Sequence, residues 1–308
     1  MFEPQQGLSV EELAQWAEYA EKAGYGYFFR SDHLLPMRSM RNVDETRGST
    51  ECWVTLAAIA SRTRKIRFGP MVSPIGFRNP ALLARMACTL HSYSRGRLVL
   101  SIGAGWYKRE YLAHGYKFPR LKDRMHQLRE AVAIIRPLSQ GERVDYDGKF
   151  FSAHLACLPK PVGPIRLVIG GNSDAAMALA CQYADELNVT KEFSITAKTH
   201  NELREGLQSL LVSREIDVSL MTPFLASDNS RELESRVKRY MKLTRMRGEV
   251  RNAMKELIAR GVMCGTANEF SAQVKERLAL GFKRIYFQIL DPSDKAMVKT
   301  LTQILRAL

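Results

Sequence analysis

The stretch from Arg78 to Pro119 constrains the fold of this chain more than any other. Asn79-Pro80 is a helix start, because Asn caps a helix through its side chain and Pro suits the first helical position. An apolar run at helical spacing continues to Tyr93, and Leu98–Ile102 is a short apolar strand of the type buried on both faces. The strand runs directly into the glycines and aromatic residues of 103–107. This order is typical of an α/β barrel with a ligand site at the carboxyl ends of its strands.

Strand and helix patterns alternate along the rest of the chain, as expected of a parallel sheet covered by helices. The predicted strands are Tyr25–Phe29, Ile66–Val72, Leu98–Ile102, Ile165–Ile169, Glu186–Val189, Val218–Thr222 and Arg284–Ile289. The predicted helices are one that Ser9 caps and that ends at Ala23, then Glu51–Ser61, Pro80–Tyr93, Leu121–Ser139, Ser173–Ala184, Ala197–Arg214, one that Asn268 caps and that ends at Leu280, and Lys295–Leu308. These elements predict a single (β/α)8 TIM-barrel domain over residues 1–308.

Two segments interrupt the predicted barrel. Residues 144–164 form an excursion, in which Val144–Ser152 is expected to be a hairpin that turns at Asp147-Gly148. Residues 228–260 form a charged helical insertion.

The first strand of the barrel is shortened. Only Met1-Phe2-Glu3-Pro4 precedes the loop Gln5-Gln6-Gly7. A closed barrel requires every strand to pair with its neighbours. We therefore expect either a start upstream of Met1, which we favour, or a first strand reduced to a stub.

The chain carries a net charge of +14 at pH 7, and its basic residues are unevenly distributed. No Asp or Glu lies between Glu51 and Glu110, whereas this span holds ten basic residues. A second basic stretch runs from Lys238 to Arg251. A positive field attracts polyanions, including nucleic acids and cofactors that carry phosphate and carboxylate groups. No motif for DNA or RNA recognition accompanies the charge, so we predict no nucleic-acid partner, and a solvated basic surface is the simpler explanation.

The cysteines indicate buried free thiols rather than a structural framework. They are Cys52, Cys88, Cys157, Cys181 and Cys264. Their wide spacing, without a CxxC pair, predicts neither structural disulfides nor a metal site. No apolar run reaches the roughly 18 residues of a membrane span, and no signal peptide opens the sequence. We therefore expect a cytoplasmic protein that does not bind membranes.

Short motifs follow one another along the first two thirds of the chain. They are Ser31-Asp32-His33, Glu51-Cys52-Trp53, Thr63–Gly69, the stretch Arg78–Pro119, Pro159–Val162, Gly170–Ser173 and Tyr183–Asn188. Their order and spacing resemble the luciferase-like flavin monooxygenase superfamily from about residue 4 to 190, and most closely its branch that uses the deazaflavin coenzyme F420. Beyond this range the resemblance is limited to Gly265–Glu269 and the last strand and helix.

The resemblance implies a barrel of the bacterial-luciferase-like type, a homodimer, and hydride transfer between F420 and a small organic substrate. An FMN-dependent two-component monooxygenase is the alternative, because a phosphate-binding loop serves either flavin. A cofactor-free barrel kept as a binding or structural subunit is a second alternative, suggested by the shortened first strand and the thin C-terminal match. The basic span without acids favours F420, whose tail is polyanionic.

His33 and Asp32 are the candidate catalytic residues. They follow a predicted strand, at the end of the barrel where catalytic side chains lie. Histidine is the side chain best suited to proton transfer near neutral pH. The resemblance implies that His33 handles a proton during hydride transfer while Asp32 orients its ring. The simpler alternative is a histidine that only hydrogen-bonds the loop backbone.

The candidate cofactor site consists of three segments. In members resembling this chain, Met71-Val72-Ser73 would contain a non-prolyl cis peptide, at Met71–Val72, that supports the flavin ring. Gly170-Gly171-Asn172-Ser173 precedes a helix whose N–H groups and dipole suit a phosphate, although two glycines also fit a simple tight turn. Gly103-Ala104-Gly105 would let a ring or ribityl chain lie against the backbone.

Trp106 and Tyr107 are expected to line the substrate pocket, or else to anchor the loop to a helix. Trp106 stands where F420-dependent sugar-phosphate dehydrogenases have a carboxylate, and this difference argues against sugar-phosphate oxidation. An aromatic, apolar pocket favours an apolar alcohol, aldehyde or enone.

Overall fold

The computed structural model describes residues 1–3, 7–36, 48–190 and 216–308, together with Glu205 and Gln208. The described residues group into two compact units. The first unit consists of Leu8–Leu35 and Ser49–Leu187, and the second includes residues 1–3 and Asn188–Leu308. Apart from Glu205 and Gln208, the predicted helix Ala197–Arg214 lies outside the described residues.

Strands and helices alternate in the first unit, as predicted. Its strands are β1 (Tyr27–Arg30), β2 (Arg67–Pro70), β3 (Ser73–Pro74), β4 (Val99–Gly103), β5 (Arg143–Asp147), β6 (Ser152–Ala156) and β7 (Arg166–Gly170). Its helices are α1 (Val10–Ala23), α2 (Cys52–Arg62), α3 (Pro80–Tyr93), α4 (Lys108–Ala113), α5 (Leu121–Ser139) and α6 (Asp174–Tyr183). β1 pairs with β2, and β4 lies between β3 and β7, all in parallel. The apolar core residues of these strands are fully buried, as the two-sided burial of such a sheet requires.

The predicted strand Ile66–Val72 is divided in the structure. β2 ends at Pro70 and β3 begins at Ser73, and the peptide bond between Met71 and Val72 is cis. The prediction of a non-prolyl cis peptide at this position is confirmed. The Met71 N–H donates to the Arg30 carbonyl at 2.8 Å, so the ends of β1 and β2 stay joined next to the cis bond.

The second unit is organised around one long strand. β8 (Glu186–Thr190) leads into this unit, which continues with β9 (Asp217–Ser227), α7 (Ser230–Thr244), α8 (Val250–Ala259), β10 (Met263–Thr266), α9 (Ala267–Ala279), β11 (Arg284–Gln288) and α10 (Lys295–Arg306). β9 pairs in parallel with both β10 and β11. The segment 228–260, predicted as a charged helical insertion, contains the two helices α7 and α8. None of the described helices is long and apolar enough to cross a membrane.

A single bridge stands where the first strand was predicted. Phe2 pairs in parallel with Ile289, directly after β11. The Met1 nitrogen donates to the Phe287 carbonyl at 3.1 Å, and the Ile289 N–H donates to the Met1 carbonyl at 2.9 Å. The predicted shortening of this strand is confirmed.

Local sequence signals set several helix ends correctly. Ser9 forms a capping box with Glu12, and Gly24 ends α1 in the left-handed conformation at φ 91°. The Asn79 side chain accepts from the first N–H groups of α3. The prediction for Asn268 is wrong, because Thr266 caps α9 and forms a capping box with Glu269. Threonine can cap the first N–H groups of a helix as asparagine does, so the cap lies two residues earlier than predicted.

The excursion is a hairpin that is longer than predicted. β5 and β6 pair antiparallel from Arg143 to Ala156, and the Gly148 N–H donates to the Phe151 carbonyl at 2.9 Å across the turn. The Glu130 carboxylate on α5 accepts from the backbone N–H groups of residues 149–151 at 2.8–3.0 Å. The turn is wider than the two-residue loop that Asp-Gly favours, and the Glu130 carboxylate provides hydrogen-bond acceptors for the N–H groups of this wider turn.

Candidate active site

Asp32 connects the end of β1 to two neighbouring loops. Its buried carboxylate accepts from the Ser73 hydroxyl at 2.6 Å and from the Arg78 guanidinium at 2.6 and 3.3 Å. The Trp53 indole N–H donates to the same Ser73 hydroxyl at 3.2 Å. Burial by itself would lower the pKa of Arg78, but the charge and hydrogen bond of Asp32, together with the Glu51 charge, raise it. The arrangement is a hydrogen-bonded ion pair that fixes the loops around the strand ends.

The carboxylate at the His33 ring is Glu110, not Asp32. His33 Nδ1 lies 3.0 and 3.1 Å from the two Glu110 oxygens, and Glu110 also accepts from the Leu34 N–H at 2.9 Å. Glu110 is 1% exposed and His33 is 9% exposed. The expectation that Asp32 orients the His33 ring is therefore corrected, since Asp32 is engaged by Ser73 and Arg78.

The contact with Glu110 determines which His33 nitrogen can act as a base. A carboxylate only accepts hydrogen bonds, so Nδ1 carries the hydrogen and Nε2 is the basic nitrogen of the neutral ring. When Nε2 takes up a proton, the Glu110 carboxylate stabilises the resulting imidazolium. A histidine held in this way is suited to accept and return a proton at one defined atom.

Two aromatic side chains stand edge-on to the His33 ring. The ring centroids of Trp106 and Tyr107 lie 5.5 and 6.0 Å from that of His33, and the two aromatic rings stack on each other at 5.3 Å. Trp106 is 61% exposed, which is unusual for the largest apolar side chain. The structure therefore brings three predicted site residues together and leaves an aromatic surface beside the basic histidine.

Val72 contacts the predicted glycine segments at the ends of β4 and β7. A Cβ at Gly103 would lie 2.8 Å from Val72 Cγ2, and one at Gly170 would lie 2.6 Å from Val72 Cγ1. Any larger residue at either position would collide with the Val72 side chain, so both positions require glycine. Val72 itself is half-buried. Val72, Gly103 and Gly170 form a small apolar platform, which we call the valine platform, at the carboxyl ends of parallel strands.

Gly105 makes room for a protein side chain. It has φ 77°, and a Cβ there would lie 2.1 Å from the Tyr111 hydroxyl. Burial, with the Glu110 charge as a further cause, raises the pKa of Tyr111, so the phenol stays protonated. Arg124 donates to the Gly105 carbonyl at 3.2 Å. The Tyr111 side chain thus fills the space that Gly105 leaves. Ala104, the neighbouring residue, is half-buried.

The segment Gly170–Ser173 leads into the N-terminus of α6. The Ser173 hydroxyl accepts from the Ala176 N–H at 3.3 Å and caps the helix. Residues 172–175 are exposed, so the N–H groups of the first helical turn that Ser173 does not cap face solvent. Asp174 occupies the first helical position and places a negative charge beside them. The geometry suits an anion, but Asp174 opposes it.

The basic span between Glu51 and Glu110 is partly neutralised by acids from outside it. Arg62 pairs with Glu11 and Glu18, each at 2.9 Å. Arg97 is buried and donates to carbonyl and hydroxyl oxygens of the α2–β2 connection, and Arg78 pairs with Asp32. The positive field is therefore smaller than the charge count predicts. Two exposed cations of the span, Lys108 and Arg109, directly follow the aromatic pair.

Sequence reasoning missed Glu110 and the helix α4 that carries it. Glu110 ends the acid-free span, yet it lies 77 positions from His33, and nothing in the local pattern connects the two. One signal was available in the sequence. Glu110 is an acidic residue close to several aromatic residues, and a carboxylate that is buried among such residues rarely lacks a partner.

Comparison with known proteins places the chain in a family. The family model described as luciferase-like monooxygenase matches residues 2–284. The F420-dependent glucose-6-phosphate dehydrogenase of Nakamurella multipartita is 26% identical over 298 residues, which cover 90% of this chain and 86% of that protein.

Two solved structures show the same fold. An F420-dependent secondary alcohol dehydrogenase in complex with an F420–acetone adduct has a TM-score of 0.76 at 19% identity, covering 97% of this chain and 95% of the other. A monooxygenase from Streptomyces bottropensis has a TM-score of 0.77 at 17% identity, covering 97% and 93%. The fold is a TIM barrel of the luciferase-like type, and the chain belongs to the luciferase-like monooxygenase family.

Proposed function

We propose that this protein is an F420-dependent oxidoreductase that transfers a hydride between the deazaflavin and a small organic substrate. The observation that carries the proposal is the buried His33–Glu110 pair, which fixes one basic nitrogen beside an exposed aromatic surface. Relatives whose names describe them as F420-dependent dehydrogenases support the choice of F420 as the cofactor.

The residues present fit a flavin-type cofactor. The valine platform offers a half-buried apolar surface for one face of a planar ring. The exposed N-terminus of α6 offers N–H groups for a phosphate, next to Gly171, where a Cβ would lie only 2.8 Å from the Ala176 Cβ. Met71 would hold the valine platform in place through its backbone N–H, which donates to Arg30, and Ser73 through its hydroxyl, which donates to Asp32. Asn172 and Ser173 would border the phosphate.

The chain contributes positioning and proton transfer to the reaction. When bound, the deazaflavin would supply the carbon centre that accepts or gives up the hydride. His33 would take up the substrate's hydroxyl proton at Nε2 during oxidation and return a proton from the same atom during reduction. Glu110 would keep the ring in the tautomer that leaves Nε2 basic. Trp106 and Tyr107 would exclude water from the side of the histidine that they cover.

The aromatic surface indicates the substrate class. Trp106 and Tyr107 stack on each other and present no charged group to a substrate. An apolar alcohol, aldehyde or enone is therefore the substrate class we propose, rather than a sugar phosphate.

A cofactor titration tests the proposal. Purified protein is titrated separately with F420 and FMN, and binding is followed by the visible spectrum and by quenching of tryptophan fluorescence. We expect saturable F420 binding with a dissociation constant at least tenfold below that of FMN. Tighter FMN binding would favour the two-component monooxygenase, and binding of neither would favour a cofactor-free barrel.

We also propose that the protein is a homodimer. The exposed apolar side chains of Leu82 and Tyr93 lie on one face of α3, eleven residues apart, which is close to three helical turns. The resemblance to the luciferase-like family implies a homodimer, and an interface through this face of α3 would bury both side chains. Light scattering should give twice the chain mass, and Leu82→Glu with Tyr93→Glu should reduce it to the monomer. A monomeric unsubstituted protein would contradict this proposal.

A further inference from the structure

Two buried cysteines lie side by side in the first unit. Cys88 on α3 is 2% exposed, and Cys157, which follows β6, is 3% exposed. The Cys88 thiol donates to the Leu138 carbonyl at 3.6 Å, and burial, with the neighbouring Cys157 side chain as a further cause, raises its pKa. The two sulfurs belong to elements far apart in the sequence, and the fold alone brings them together.

A second contact joins the same two segments independently. Arg85 lies three residues before Cys88, on the same side of α3. Its guanidinium donates to the carbonyl of Leu158, the neighbour of Cys157, at 2.7 Å. The backbone of residue 158 is thus held against α3 one helical turn before Cys88, which places the adjacent Cys157 next to the same helix.

The segment after Cys157 offers a route for a reagent. Leu158 is 59% exposed and Val162 is 65% exposed, so few buried contacts hold this segment. Segments of this kind open locally at a small fraction of the cost of global unfolding. Burial raises the pKa of the Cys88 thiol, which protects the closed pair from reaction, whereas opening exposes Cys157 to solvent.

We propose that Cys88 and Cys157 form a reversible disulfide that ties the end of the β5–β6 hairpin to α3. A peroxide would oxidise the Cys157 thiol to a sulfenic acid and leave as water or an alcohol. The Cys88 sulfur would then attack the sulfenic sulfur, forming the S–S bond and releasing water. The two thiols lose two electrons in total, the peroxide gains them, and a dithiol reverses the change.

Peptide mapping of the folded, full-length protein tests the proposal. The protein is treated with dilute hydrogen peroxide, unreacted thiols are alkylated, and the digest is analysed by mass spectrometry. We expect a cross-linked peptide pair that contains Cys88 and Cys157, lighter by two hydrogens and lost on reduction. Because the bond closes a long loop, the midpoint of the thermal melt should rise by about 5 °C or more and fall back with dithiothreitol.

Matched variants separate the pair from the other thiols. Cys88→Ser and Cys157→Ser should each abolish the cross-link and the rise in the melting midpoint, whereas Cys52→Ser should keep both. The variant Cys157→Ser is the second route should Cys88→Ser fail to fold. The proposal is overturned if the folded protein instead yields only sulfinic or sulfonic acids, a cross-link between two chains, or no reaction at the pair.

Discussion

Replacing Glu110 by glutamine removes the negative charge beside His33 while keeping the shape of the side chain. Glu110 is 1% exposed, and its Oε2 lies 2.9 Å from the Leu34 N–H and 3.1 Å from His33 Nδ1, while Oε1 lies 3.0 Å from Nδ1. The glutamine oxygen must take the Oε2 position, because Leu34 N–H can only donate. The amide NH2 then stands 3.0 Å from Nδ1 and competes there with the glutamine oxygen, which lies 3.1 Å away. The Nδ1–H tautomer is no longer enforced, and the ring shifts toward the tautomer in which Nε2 is protonated and no longer basic.

The magnitude follows from the two effects that the substitution combines. Loss of the charge-assisted bond to the imidazolium costs about 1.5–3 kcal/mol, which corresponds to roughly tenfold to a hundredfold in rate. Inversion of the tautomer adds to this loss, so turnover of Glu110→Gln should fall by about 10²–10⁴. The dissociation constant of the cofactor should change little, since Glu110 contacts His33 and Leu34 rather than the valine platform or α6.

Reduction of F420 by the best substrate in a panel of apolar alcohols is the assay, read as loss of the deazaflavin's visible absorbance. Turnover should fall while F420 binding stays unchanged, which separates a positioning role from loss of the cofactor site. Asp147→Asn is the matched control: it removes a carboxylate that lies 3.1 Å from His154 Nε2 on the exposed hairpin, and activity should stay unchanged. A folded Glu110→Gln protein with normal turnover would refute the positioning role.

Three further substitutions test the cofactor site. Gly171→Val should abolish F420 binding, because its Cβ would lie 2.8 Å from the Ala176 Cβ and would displace the start of α6 from the phosphate; Gly26→Val, with open space around it, should bind normally, and an unchanged dissociation constant for a folded Gly171→Val protein would falsify the phosphate assignment. Asp174→Asn should tighten F420 binding by roughly twofold to fivefold, because it removes a like charge from the first turn of α6; calorimetry showing weaker binding would contradict an anion there. Lys108→Gln should reduce the salt dependence of F420 affinity, whereas Lys65→Gln, an equally exposed cation elsewhere, should not.

The sequence predicts the alternation of elements well because each element carries its own signals. Asn79-Pro80 and the Ser9 capping box set helix starts from within a few residues, and the structure has both where the sequence places them. Asn268 is also a local signal, because asparagine is a good capping residue. The prediction at Asn268 is wrong because Thr266 caps the helix two residues earlier.

The partners inside the site could not be predicted in the same way. His33 and Glu110 meet only because the ends of distant strands converge, and no local periodicity records that approach. The charge count misled as well, since Glu11 and Glu18 lie outside the basic span but fold back onto Arg62. The glycines were predicted to let a cofactor approach the backbone, whereas in the structure Val72 lies against Gly103 and Gly170, and Tyr111 against Gly105. What approaches a glycine is a property of the tertiary structure.

Transfer of an isotope from substrate to cofactor tests the central claim most directly. The protein is incubated with F420 and an apolar secondary alcohol that carries deuterium on its carbinol carbon, and the reduced cofactor is examined by mass spectrometry. The account predicts that the deuterium moves to the cofactor without exchange with water and without any requirement for oxygen. Reduced cofactor that lacks the deuterium, or turnover only with reduced FMN and oxygen, would contradict F420-dependent hydride transfer.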